Sequence, residues 1–110
     1  MAQELAAGVE ITLRGNTLII PPLNIRSIKE CTVNIMAIDD PETSFADKMD
    51  QMMIVILKAI RRNYPDETLL TDDYLYDNID LSNITDIFSA VLNQTGLNKK
   101  KAMMENQGQV

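Results

Sequence analysis

Histidine and tryptophan are absent from this sequence, and cysteine occurs once. Without histidine the commonest general base and the commonest metal ligand are both missing. Cys31 has no imidazole to turn it into a thiolate, so its expected role is that of a small buried apolar residue. A single cysteine forms no disulfide within the chain, which fits a reducing cytosol. Four glycines include no glycine-rich phosphate loop. These absences leave no nucleophile–base pair, and we expect a protein that is not an enzyme and needs no cofactor or metal.

Positive charge is scarce as well. The net charge is −6, and residues 1–97 hold seven basic against fifteen acidic side chains, with Lys99, Lys100 and Lys101 outside that body. Such a balance repels phosphate backbones and anionic lipid surfaces, so neither nucleic acid nor membrane is an expected partner. The longest apolar run, Met52 to Leu57, is far too short to span a bilayer. No basic region precedes an apolar run near the N-terminus, and none of the start reads as a signal peptide. Two glycosylation sequons, at Asn83 and Asn93, are then expected to be chance.

What is present is enough for a core. Hydrophobic residues make up 45% of 110 positions, while aromatics make up 5%, so the core must be Ile, Leu, Val and Met. Val9 to Leu13 alternates apolar and polar, and Thr17 to Ile20 is a second strand-like run. Arg14, Gly15 and Asn16 lie between them, and Gly15 and Asn16 both tolerate positive φ, so the pattern predicts a β-hairpin. Pro21 and Pro22 end it.

Three main helices follow. Asn24 is placed to cap the first, over about 24–37, whose stripe is Ile25, Ile28, Cys31 or Thr32, Ile35 and Met36. Ser44 is placed to cap the second, over about 45–63, with Asp47 in its first turn. Its stripe is Phe45, Met49, Met52 or Met53, Ile56 and Ile60. Asp72 is placed to cap a short helix over Asp73 to Asn78. Asp80 or Ser82 then opens a helix over about 82–95 with the stripe Ile84, Ile87, Phe88, Val91 and Leu92, closed by Gly96. The expected class is α+β and mainly helical: an N-terminal hairpin packed on three main helices plus a short one. The expected layout is a flexible N-terminus over 1–8, one domain over 9–97 and a disordered tail over 98–110.

Two segments invite a functional reading. The acids between Asp66 and Asp80 lack the spacing and turn glycine of a calcium loop, and fit a solvated loop with helix caps. In RRNYPDETLL, Arg61 and Arg62 complement the negative end of the second helix, Pro65 disfavours its continuation, and Tyr64 continues the stripe from Ile60. This is a helix stop. The methionines of the second helix suit core packing, and an adaptable groove using Met52 or Met53 is the alternative.

The order of segments resembles the tail assembly chaperones of long-tailed bacteriophages and prophages. The likeness lies in ITLRGNTLIIPPLNIRSIKE, then ILKAIRRNYPDETL, then DDYLYDNIDLSNITDIFSAVLNQTGL, and covers about residues 9–97. It implies a non-enzymatic protein of the bacterial host's cytoplasm, absent from the mature virion. Its partners would be the tape measure protein, kept soluble, and the tail tube protein, recruited around it. Many genes of that family make two products by frameshifting. Lys99-Lys100-Lys101 can be encoded by a slippery adenine run, so the resemblance implies that this chain is the shorter product; otherwise the lysines are a solubilising tail. Competing readings are a structural tail component, such as a tail completion or tube-end protein, and a small acidic protein-interaction regulator. A DNA-binding regulator conflicts with the acidic body. Expected partner-binding residues are Leu69, Leu70, Tyr74, Tyr76, Met52 and Met53, with self-association left open.

Overall fold

The computed structural model describes residues 5–97; the expected tail over 98–110 and residues 1–4 lie outside the described residues. The elements run β1 (Val9–Leu13), β2 (Asn16–Ile20), α1 (Ile25–Asp39), α2 (Phe45–Asn63), α3 (Asp72–Asn78) and α4 (Ile84–Thr95). An N-terminal β-hairpin packs against a mostly helical core of four helices.

β1 and β2 pair antiparallel, with Leu13 opposite Asn16 and Ile11 opposite Leu18. The turn is Arg14-Gly15, with φ of 50° and 82°. Positive φ at both central residues is what a two-residue hairpin turn of the strand-matching hand requires. Asn16 therefore belongs to β2, and Arg14 takes the left-handed position. One hairpin face buries Leu13, Leu18 and Ile20.

That face lies on α2 and α4, and polar side chains from the helices fasten it. Gln94 Nε2 donates to the Ile20 carbonyl at 2.7 Å, and the Leu23 amide donates to Thr95 Oγ1 at 2.9 Å. Arg62 donates to the Pro22 carbonyl just beyond β2. A two-stranded ribbon is marginal in water by itself, so these ties and its buried face hold it.

α2 is the central element and has its expected bounds. Ser44 Oγ accepts from the Asp47 amide at 3.2 Å, and Arg61 and Arg62 occupy the last turn. Met53, Val55, Ile56, Ala59 and Ile60 are buried. Phe45, expected on the inward stripe, is 64% exposed, and its neighbours Ala46 and Asp47 in the first turn of α2 are exposed too, so the core begins further along the helix. α4 buries its whole expected stripe and ends at Gly96, φ 95°, whose amide donates to Leu92 and Asn93 carbonyls.

α1 departs further from expectation. Asn24 caps it as expected, accepting from the Ser27 amide at 2.8 Å, but the helix runs on to Asp39. Its buried positions are Ser27 and Cys31, following Leu23 at four-residue intervals. Ile25 and Met36 are 70% and 67% exposed. The reason is rotational: α1 turns the Ser27–Cys31 line onto α2 and leaves much of its apolar face uncovered. Burial pushes the Cys31 thiol up, against a smaller pull from Lys58 and a further push from Glu30. That keeps the sulfur protonated and inert.

Two cap expectations are corrected. Thr71 caps α3, accepting from the Tyr74 amide at 3.1 Å, while Asp72 is the first helical residue and pairs with Arg61. α4 starts at Ile84, two residues later than expected, because Asp80 and Ser82 build the preceding turn. Asp80 accepts from the Ser82 hydroxyl and, at 2.9 Å, from its amide, while Asn83 Oδ1 accepts from the Asp80 amide at 2.8 Å. The Ser82 hydroxyl and then its amide hold the Asp80 carboxyl below its usual range.

Candidate partner-binding grooves

Antiparallel pairing directs the amide and carbonyl of alternate β2 residues away from β1. Ile19 is one of these, and both of its groups are met by the end of α2. Its amide donates to Tyr64 Oη at 2.9 Å, and its carbonyl accepts from Asn63 Nδ2 at 2.9 Å. The same Asn63 amide group exchanges two bonds with Ala6, one in each direction. Asn63 is buried and its polar atoms are satisfied. At the turn end of the hairpin, Tyr74 Oη donates to the Leu13 carbonyl and accepts from Asn16 Nδ2, both at 3.1 Å.

Thr17 sits between these two anchors, and the alternation directs its backbone polar groups to the same edge. Here a cleft of about 760 Å³ opens, walled by Leu18, Tyr64, Pro65, Leu69, Leu70 and Tyr74. The outer wall is the loop from Tyr64 to Thr71. Arg61 holds it, donating to the Tyr64 carbonyl at 3.1 Å and the Leu70 carbonyl at 2.6 Å. A guanidinium can bridge two carbonyls and the Asp72 carboxylate at once because its donors form a planar fork. Asp66 folds the loop tip by accepting from the hydroxyl and amide of Thr68, which hold its carboxyl below the usual range. The loop presents Leu69 outward, 84% exposed.

A second cleft, about 230 Å³, lies between α2 and the α3–α4 turn and is lined by Met49, Met53, Tyr76 and Leu81. Burial, then the charges of Asp50 and Asp72, push the Tyr76 phenol up. A third, about 360 Å³, separates α1 from α4.

The six residues expected to bind a partner thus do not converge. Leu69, Leu70 and Tyr74 share the hairpin cleft. Tyr76 and Met53 share the α3–α4 cleft, where Met53 is a buried floor. Met52 is partly buried against the core and lines neither. Between Tyr74 and Asp80 the buried side chains are Leu75, which is fully buried, and Ile79. Tyr64 is the residue that sequence reasoning undervalued. Its i+4 spacing from Ile60 was visible, but its hydroxyl reaches a strand 45 positions away. Among the described residues, no three His, Cys, Asp or Glu side chains gather where a metal could sit. No described helix is long and apolar enough to cross a membrane.

Compared with protein-family models, with curated proteins and with solved structures, the chain matches none.

Proposed function

We propose that the protein is a tail assembly chaperone of a long-tailed phage or prophage. It binds the tape measure protein, keeps it soluble in the host cytoplasm, helps recruit tail tube subunits and does not enter the virion. The three segments quoted above carry the resemblance. What supports the reading physically is an acidic composition combined with apolar clefts, one of them walled by a loop that Arg61 hydrogen-bonds. The single observation that carries most is the hairpin cleft, with Leu69 exposed on a loop that Arg61 holds in place. Exposed apolar groups on an ordered loop suit capture of a sticky client, while surrounding carboxylates keep the complex dispersed.

Co-expression with the product of a neighbouring tape measure gene tests this. The expected result is a soluble complex that co-purifies, with the client insoluble when expressed alone. A client that stays insoluble in the presence of this protein overturns the reading. Recovery of this chain from purified particles in stoichiometric amount replaces it with the structural tail component. An adenine run at Lys99–Lys101 and an overlapping downstream frame are the expected features of a gene that also encodes a longer product.

A further inference from the structure

α1 is the outlying helix. Ser27 and Cys31 turn one side of it onto α2, and a cleft separates it from α4. Its other side is apolar and uncovered: Ile25, Val33 and Met36 are 70%, 77% and 67% exposed. At about 100° per residue, Ile25 and Met36 lie about 120° and 140° round the axis from Cys31, in the same direction. Thr32, Lys29 and Val33 fall within about 60° of Met36. The line Ile25, Lys29, Thr32, Met36, with Val33 beside it, has the spacing of a helix face that packs on another element. Scattered apolar residues on a surface are ordinary, whereas a contiguous stripe turned away from the buried one marks an interaction face. We propose that this stripe packs against the same stripe of a second copy of the chain, the two α1 helices running antiparallel about a two-fold axis.

Charge selects both the occupant and its direction. The N-terminal half of α1 carries Arg26 and Lys29, and its C-terminal end carries Asp39 and Asp40. Glu30 stands between them and is engaged by Lys58 of α2 at 3.5 Å. Arg26 and Lys29 are exposed and form no ion pair among the described residues. A two-fold interface uses one patch twice, so the patch must complement itself. This one does, with an apolar middle, a basic end and an acidic end. Antiparallel packing brings the basic half of each copy to the acidic end of the other, and the axis repeats the contact. Parallel packing sets like charges together at both ends, which disfavours it. The aliphatic stem of Lys29 lies over the apolar middle while its ammonium reaches the rim. The exposed face of α1, unexplained by packing within residues 5–97, is then covered.

Sedimentation equilibrium on the full chain tests this. The mass should rise with concentration from the 12.4 kDa of one chain toward twice that value. Val33→Glu, a change at an exposed position, should hold the chain as a monomer with its circular dichroism spectrum unchanged. Lys29→Glu and Asp40→Lys each turn two attractions into two repulsions, so each alone should weaken the dimer about tenfold or more. An equimolar mixture of those two variants restores opposite charges at both ends and should dimerise again, which also shows that both are folded. A single-chain mass at every concentration overturns the proposal. So does a dimer that Val33→Glu leaves intact, which places the contact on another face. Failure of the mixture to recover overturns the antiparallel arrangement.

Discussion

The hydroxyl of Tyr64, one residue past the end of α2, accepts the amide hydrogen of Ile19 in the middle of β2 at 2.9 Å. β1 pairs on the opposite side of the strand and does not supply an acceptor for this amide. Tyr64→Phe keeps the ring packing and removes only the acceptor. A part-buried amide left unpaired costs about 1–3 kcal/mol. The variant should melt lower, and the Ile19 amide should exchange with deuterium markedly faster than in the parent. Unchanged exchange at Ile19 would mean that the bond is not formed in solution.

Asn63 bears on the same strand differently, since it both donates and accepts. Asn63→Asp retains an acceptor for the Ala6 amide but turns a carboxylate toward the carbonyls of Ala6 and Ile19. Burial and those two carbonyls must raise the carboxyl's folded pKa above its unfolded value of about 3.9. The folded state then holds more protons, so stability falls as pH rises through the window above ~4. Relative to the parent, the variant should lose about 2–4 kcal/mol at pH 7 and much less below pH 4. Urea denaturation of both proteins at the two pH values measures this. An equal deficit at both would remove the carboxylate from the explanation.

The hairpin turn shows where a sequence pattern informs and where it stops. Alternation located both strands, and the bounds of α2 followed from Ser44, the apolar stripe and Pro65. Asn16 also looked suited to a left-handed position, yet the register places that burden on Arg14, φ 50°. Leu18-Ile19-Ile20 is apolar throughout, so a pairing one step away would still set Ile11 opposite an apolar residue, Ile19, which blurs the register signal. Likewise the side-chain ties from Asn63, Tyr64, Gln94 and Thr95 to the hairpin join positions 44 to 74 residues apart from their partners. Such bonds depend on where packed elements come to rest, which local spacing does not encode. The exposed face of α1 was illegible for the same reason: Ile25 and Met36 have helical spacing, but only the fold decides which apolar line meets α2.

Arg14 in turn yields a stabilising substitution. A residue with a Cβ pays strain in the left-handed region, and asparagine tolerates it better than arginine. Arg14→Asn creates the Asn-Gly pair favoured in this turn. The expected gain is about 0.5–1 kcal/mol, a rise in Tm of a few degrees. Gly15→Ala is the control. Its added Cβ meets no neighbour, yet φ of 82° is retained, so it should lose about 1 kcal/mol through backbone conformation alone. Thermal melts of the two variants should therefore move in opposite directions.

Tyr74 and Leu69 line one cleft but differ in what else they do, and that difference separates binding from stability. Tyr74 bonds the hairpin turn at Leu13 and Asn16, so Tyr74→Ala should weaken the fold by about 1–3 kcal/mol along with any capture of a client. Leu69 projects into solvent, and surface changes of that kind usually stay within about 0.5 kcal/mol. Leu69→Glu should therefore leave the melting curve in place while adding charge to an apolar wall that a client must dry. On the proposed function, it should reduce the amount of tape measure protein recovered with the chain at least several-fold. Full recovery with Leu69→Glu would move the binding surface away from the hairpin cleft, toward the Tyr76 cleft between α2 and the α3–α4 turn. Tyr76→Glu, tested in parallel, then decides between the two faces. Loss with Tyr76→Glu and not with Leu69→Glu would assign the client to the Tyr76 side.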